Sequence, residues 1–147
     1  MKTRALVMAG MMALTAMAST RVAQAQEMMV ANIPFDFVAD NVTLPAGEYS
    51  VKVAAPGRTV LLIDRKDATA SAFMNTNAAT KNEIQTESKM IFNRYGDRYF
   101  LSEVWTAGSS RGRQLLKSAR EKEMAQIAKS ETQGQVTLVA GLLRTNR

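Results

Sequence analysis

Lys89-Met90-Ile91-Phe92-Asn93-Arg94-Tyr95-Gly96-Asp97-Arg98-Tyr99-Phe100-Leu101-Ser102-Glu103-Val104-Trp105 is the stretch that decides the fold. Two runs rich in aromatic and aliphatic residues meet across Gly96-Asp97. A two-residue Gly-Asp loop between such runs specifies a type I′ or II′ β-hairpin. That loop pairs Tyr95 with Arg98, Phe92 with Leu101 and Met90 with Glu103. Alternation then puts Ile91, Tyr95, Phe100 and Val104 on one face, and Met90, Phe92, Tyr99, Leu101 and Trp105 on the other. Both faces are apolar and both need cover. The hairpin therefore belongs at the centre of a sandwich or barrel, or beneath a helix.

On the N-terminal side the chain continues as strands and turns. Ile33, Phe35 and Phe37 alternate within Met29–Val38, the mark of one buried face. Pro34 removes a ladder donor, which places this strand at a sheet edge or leaves its N–H side free. Leu44-Pro45-Ala46-Gly47 fits a type I turn and Ala55-Pro56-Gly57-Arg58 a type II turn. Between them Tyr49, Val51 and Val53 alternate with polar residues, so Glu48–Ile63 reads as a second hairpin. Ala70–Met74 is a candidate strand, and the polar run Asn75–Glu87 reads as a loop.

Beyond Trp105 the spacing turns helical over 113–129. Ser118 and Glu121 form a capping-box pattern. Leu116, Ala119, Met124 and Ile127 fall near one face. The expectation is one amphipathic helix at about 115–130, then a last strand over Gln135–Ala140. The fold class is mainly β: a small antiparallel β-sandwich or partly open β-barrel with that helix near the C-terminus.

Residues 1–25 carry the signs of a cleavable signal peptide. Lys2 and Arg4 precede a short apolar run from Ala5 to Ala18, and Ala23-Gln24-Ala25 supplies small residues at a cleavage site. The apolar run is shorter than the ~18 residues needed to span a bilayer. The remaining 26–147 suit a single β-rich domain, with no transmembrane anchor after cleavage. Removal of the leader also removes Lys2, Arg4 and Arg21, which lowers the net charge from +6 to +3. The expected location is outside the cytoplasm, periplasmic or extracellular. In that setting nucleic acid is not an expected partner.

Ile33-Pro34-Phe35-Asp36-Phe37, Leu44-Pro45-Ala46-Gly47-Glu48-Tyr49 and Phe92-Asn93-Arg94-Tyr95-Gly96-Asp97-Arg98-Tyr99-Phe100-Leu101, in that order behind a leader, resemble a family of small bacterial secreted or periplasmic proteins. No activity is known for that family. The resemblance implies a bacterial envelope setting and supplies no catalytic residues.

The sequence contains no histidine and no cysteine. A Ser-His-Asp triad, a Cys-His dyad and the usual zinc, copper or haem ligand sets are thereby excluded. No cofactor is expected. Asp36, Asp40, Asp97 and Glu103 are the acids available for a carboxylate-dependent glycan hydrolase, and Asp64, Asp67 and Asn93 for a hard cation. Each also has an ordinary role as a turn, strand-face or ion-pair residue, and Ser118 beside Lys117 reads as a helix cap.

Two clusters remain as candidate surfaces. Arg94, Tyr95, Arg98, Tyr99 and Trp105 form a possible ligand or partner wall. Arg111, Arg113, Lys117, Arg120 and Lys122 form a possible contact for an anionic surface. The leading expectation is a non-enzymatic binding module for an envelope protein, a lipid, a glycan or an apolar ligand. The glycan hydrolase is one alternative. A structural protein self-associating through an open edge near Pro34 is another.

Overall fold

The computed structural model describes residues 28–53, 60–128 and 133–143. The leader, the Ala55–Arg58 turn and the tail 144–147 lie outside them. In chain order the elements are β1 (Met28–Ile33), β2 (Phe37–Ala39), β3 (Val42–Leu44), β4 (Gly47–Val53), β5 (Val60–Arg65), β6 (Ser71–Thr80), β7 (Ser88–Tyr95), β8 (Arg98–Trp105), β9 (Arg111–Leu115), α1 (Ala119–Ile127) and β10 (Gln133–Leu143). Of the two architectures expected, the chain adopts the barrel. Eight antiparallel strands close in the order β8-β7-β10-β1-β4-β5-β6-β9 and back to β8. The β2–β3 ribbon is appended through a parallel pairing of Phe37 and Val38 with Tyr99 and Phe100.

An eight-stranded barrel encloses a space just wide enough for side chains to fill. Here Ile33, Phe37, Leu44, Tyr49, Ile63, Met74, Met90 and Phe92 occupy it and are almost wholly buried. Phe37 packs edge-on against Tyr49, with ring centroids 5.3 Å apart, and against Phe92 at 5.4 Å. These are the offset geometries aromatic quadrupoles favour. Phe35 stacks on Tyr99 at 3.8 Å and meets Phe92 edge-on, which extends the aromatic chain toward the β7–β8 turn.

Pro34 is responsible for this arrangement. β1 pairs with β10 over Met28–Val30 and with β4 over Met29–Ile33, and stops at Ile33. The predicted single strand Met29–Val38 therefore splits at Pro34-Phe35-Asp36, and its second half leaves for β8 carrying Phe37. Near Pro34, β4 covers one side of β1, while the ladder to β10 ends at Val30. Asp36 steadies the crossover by accepting the Ala46 backbone N–H at 2.8 Å, and the Tyr49 hydroxyl donates to the Pro45 carbonyl at 2.6 Å.

The β7–β8 hairpin forms as expected at its tip. Tyr95 pairs with Arg98 and Phe92 with Leu101, and Gly96 takes φ = +66°. Further down, the register differs from expectation. Met90 pairs with Val104, not Glu103, because the ladder shifts between Ile91 and Phe92 and leaves Ser102 unpaired as a β-bulge. The extra residue exchanges the faces below it. Val104 joins the interior with Met90, Phe92 and Leu101, while Trp105 turns outward. Opposite Trp105 stands Gly112, where an added Cβ would come within 2.5 Å of the indole ring.

Other boundaries also move. β6 runs to Thr80 across the expected loop, with Ala72, Met74 and Thr76 buried in alternation. β9 replaces the start of the expected helix and closes the barrel by pairing with both β6 and β8. The helix is only Ala119–Ile127, and of the face expected to be buried only Met124 packs inward. Glu121 is buried and Met124, Ala125 and Ala128 pack on Val38, Tyr95 and Phe100, while Leu116 and Ile127 are exposed. The outer face of the hairpin does lie under the helix, as its apolarity required.

Replacing Gly112 by alanine should displace Trp105. We expect about 1–3 kcal/mol of destabilisation from overpacking, read as a lower urea midpoint, together with a red-shifted tryptophan emission. Unchanged emission and midpoint would show that the indole does not sit against Gly112.

Candidate functional site

The hairpin tip and the start of α1 meet in a polar network. Tyr95 leaves the outer face of β7 and is buried under the helix. Its hydroxyl donates to Glu121 Oε1 at 3.2 Å and accepts from Lys117 Nζ at 3.3 Å. Asn93, two residues back on the same face, donates from Nδ2 to the same carboxylate oxygen at 2.8 Å, and Gln135 Nε2 donates to Asn93 Oδ1 at 3.2 Å. Glu121 is 4% exposed, and its partners supply the hydrogen bonds a buried acid requires. Half of the expected capping box forms: Ser118 Oγ accepts the Glu121 N–H at 3.2 Å. The other half does not, because the Glu121 carboxylate is turned onto the barrel.

This geometry separates the aromatic wall expected from sequence. Tyr95 faces outward, is buried, and packs edge-on against Phe100 at 5.7 Å. Tyr99 faces the barrel interior on Phe35. Arg94 and Arg98 stay exposed at the turn, with Arg94 Nε donating to the Gly96 carbonyl at 2.8 Å. Trp105 lies at the far end of β8 and is 2% exposed. Its Nε1–H donates to Glu103 Oε2 at 2.7 Å, and Lys81 Nζ sits 4.3 Å from its ring centroid. The structure does not bring these five residues to one surface.

The basic cluster divides as well. Arg111 and Arg113 flank Gly112 on β9, at the Trp105 end. Lys117 reaches Tyr95 at the other end, and Arg120 Nη1 donates to Thr43 Oγ1 on β3 at 3.3 Å. Arg98, the register partner of Tyr95, lies on the outer hairpin face beside the helix start that carries Lys117 and Arg120, whereas Arg94 pairs with Tyr99 on the opposite face. Among the described residues the ion pairs are Lys52–Asp64 (3.4 Å), Arg65–Asp67 (3.4 Å) and Lys66–Glu48 (2.9 Å), and none involves these four cations.

The acids are spread over the fold. Asp36 holds the β3–β4 turn, Asp40 and Asp97 occupy turns, and Glu103 is bonded to Trp105. Asp64 and Asp67 are in ion pairs, and Asn93 belongs to the Glu121 network. No cluster of three or more acidic metal ligands occurs among the described residues, and none of the described helices is long and apolar enough to cross a membrane. An open depression of about 360 Å³ lies outside β1, β4 and β5, lined by Val30, Ser50, Asp64 and the Glu48–Lys66 pair. Comparison with family models, curated proteins and solved structures gives no match.

Glu121 and its partners are what sequence reasoning missed. The capping spacing pointed to Glu121, but its partners lie 26 and 28 residues away, and no local pattern announces them.

Burial pushes the Tyr95 phenol above the ordinary tyrosine range; its bond from Lys117 opposes this and the charge of Glu121 adds to it. Burial likewise raises Tyr49, against the pull of Arg65. For a group raised on folding, the stabilisation is intact below the unfolded pKa of about 10 and is lost as pH rises through the folded value. The urea midpoint should therefore fall through the alkaline range more steeply in the natural protein than in a Tyr49→Phe/Tyr95→Phe variant. Equal slopes would refute the assignment.

Proposed function

We propose that the chain is an exported, non-enzymatic module of the cell envelope that recognises an anionic partner through its outer surface at the β7–β8 tip and the start of α1. The observation carrying this reading is the placement of Arg98, Lys117 and Arg120 at the outer face of the hairpin and the start of the helix, none of them in an ion pair among the described residues, on a barrel whose interior is packed with its own side chains. A packed interior directs recognition to the outside. Cations on one side of the barrel raise the local concentration of an anionic partner and orient it on approach.

Two further observations support the class. The absence of histidine and cysteine removes the commonest nucleophilic and metal-dependent designs, and the acids available for glycan hydrolysis each have a separate local partner or turn. The leader-like residues 1–25 and the resemblance to envelope proteins support export. The geometry favours a surface-recognition module over an apolar-ligand carrier.

Dextran sulfate, as a soluble polyanion, tests the site. Retention on a dextran sulfate column should fall to lower salt in an Arg98→Gln/Arg120→Gln variant, by about fivefold in affinity for each cation removed. Arg111→Gln/Arg113→Gln, at the far end of the barrel, should elute close to the natural protein. Equal losses in both variants would mean that only net charge matters and that no site exists.

A further inference from the structure

We propose that the chain pairs with a second copy of itself along the free edge of β10, the two strands running antiparallel about a two-fold axis. β10 is longer than the contact that closes the barrel. Its ladder with β7 runs from Gln133 to Ala140, whereas β1 meets it only at Gly141, Leu142 and Leu143. Over residues 133–140 no strand among the described residues pairs with the other edge. β1 does not continue along it, because the chain leaves β1 at Ile33 and crosses to β8. Gln133, Gly134, Gln135, Thr137 and Val139 are exposed, and a Cβ built on Gly134 would meet nothing within 4 Å. The side chains of Gln133 and Gln135 are turned back onto α1 and β7, where Gln133 bonds to the Ala125 and Ala128 carbonyls and Gln135 to Asn93. They leave the edge uncovered. Such an edge presents unpaired N–H and C=O groups, a template for another strand.

The composition of the edge favours a copy of this chain as the added strand. Exposed edges are ordinarily blunted by a lysine, a proline or a bulge. Residues 133–140, Gln-Gly-Gln-Val-Thr-Leu-Val-Ala, hold no charge and no proline, and their ladder with β7 runs without a register shift. The chain is net positive, so two copies repel on most approaches. Along this edge no like charges come face to face. A partner selected by charge finds nothing here to select. Two-fold pairing sets the outer residues Gln135, Thr137 and Val139 against the same set in the second copy. It sets the half-buried Val136 and Leu138 of the inner face against each other. β-branched and aliphatic cross-strand pairs of this kind stabilise sheets. The contact is also self-limiting. β3, at the other end of the strand order, is only three residues long and runs into Pro45, so β10 on β10 closes a dimer where β10 on β3 would propagate a filament. One strand pair makes a small interface, and the dimer dissociates on dilution. This contact is independent of the anionic surface proposed above.

Sedimentation velocity across about a hundredfold range of concentration should show a monomer–dimer equilibrium. Thr137→Lys, which brings two lysines together near the two-fold axis, should weaken the dimer about tenfold, while Thr137→Val should retain it. The natural chain has no cysteine, so Gln135→Cys, Thr137→Cys and Val139→Cys, made singly, report the contact directly. Oxidation or a short thiol cross-linker should join two copies through at least one of them. Phe73→Cys, at an exposed position on β6 across the barrel from β10, should stay uncrosslinked. All of these positions are exposed, and circular dichroism checks that each variant is folded. A chain that sediments as a monomer throughout would overturn the proposal and leave the edge to a strand from a different protein. So would a dimer that ignores Thr137→Lys and cross-links no better on β10 than at Phe73→Cys.

Discussion

Eight strands closed on themselves enclose a volume that must be filled, and in this protein Phe37, Tyr49 and Phe92 are central to filling it. The filling depends on where Phe37 comes from. It arrives on β2, which exists only because Pro34 ends β1 and frees the chain to cross to β8. A closed barrel of this size leaves a choice between core and cavity. Close packing of aromatic rings decides for core, and each buried ring contributes on the order of 2–3 kcal/mol of transfer free energy. A chain without disulfides needs that contribution. With the interior committed to stability, the recognition we propose is left to the outside of the wall.

How much of this the sequence discloses follows from which residues carry a local signal. Gly96-Asp97 sets the hairpin tip because a positive φ is needed there and glycine supplies it. Ser102 carries no comparable signal. Nothing local marks it as the bulged residue, yet it exchanges Val104 with Trp105 and so decides which of them enters the core. β9, with the sequence Arg-Gly-Arg-Gln-Leu, has neither alternation nor β-branched residues; β6 and β8 impose its extended form from either side. In β6, Thr76 continues an inward series that an apolar count stops at Met74. In each case tertiary pairing overrides a weak local preference.

The candidate surface follows the same rule. The residue types were legible in Arg94, Arg98, Lys117 and Arg120, but which of them share a face was not. Sequence proximity joined Arg94 to Trp105 and Arg111 to Arg120. The barrel instead places the two ends of β8 apart and brings the helix start beside the hairpin tip. The link is Glu121, a residue whose spacing suggested a cap and whose carboxylate bonds to a strand.

That link also bears on how the surface works. A nine-residue helix is too short to hold its shape alone in water. What fixes α1 is its small apolar face on Val38 and Phe100, together with the bonds from Glu121 to Tyr95 and Asn93. Gln133 adds a third anchor by donating to the Ala125 and Ala128 carbonyls at the C-terminal end. Ordering a long cationic side chain on contact with a partner costs about 0.5–1.5 kcal/mol each. Lys117 and Arg120 have part of that ordering done in advance, because each already bonds to the barrel. In the function proposed, the buried network is a mount that holds a marginal helix, and the cations at its start, in place on the barrel.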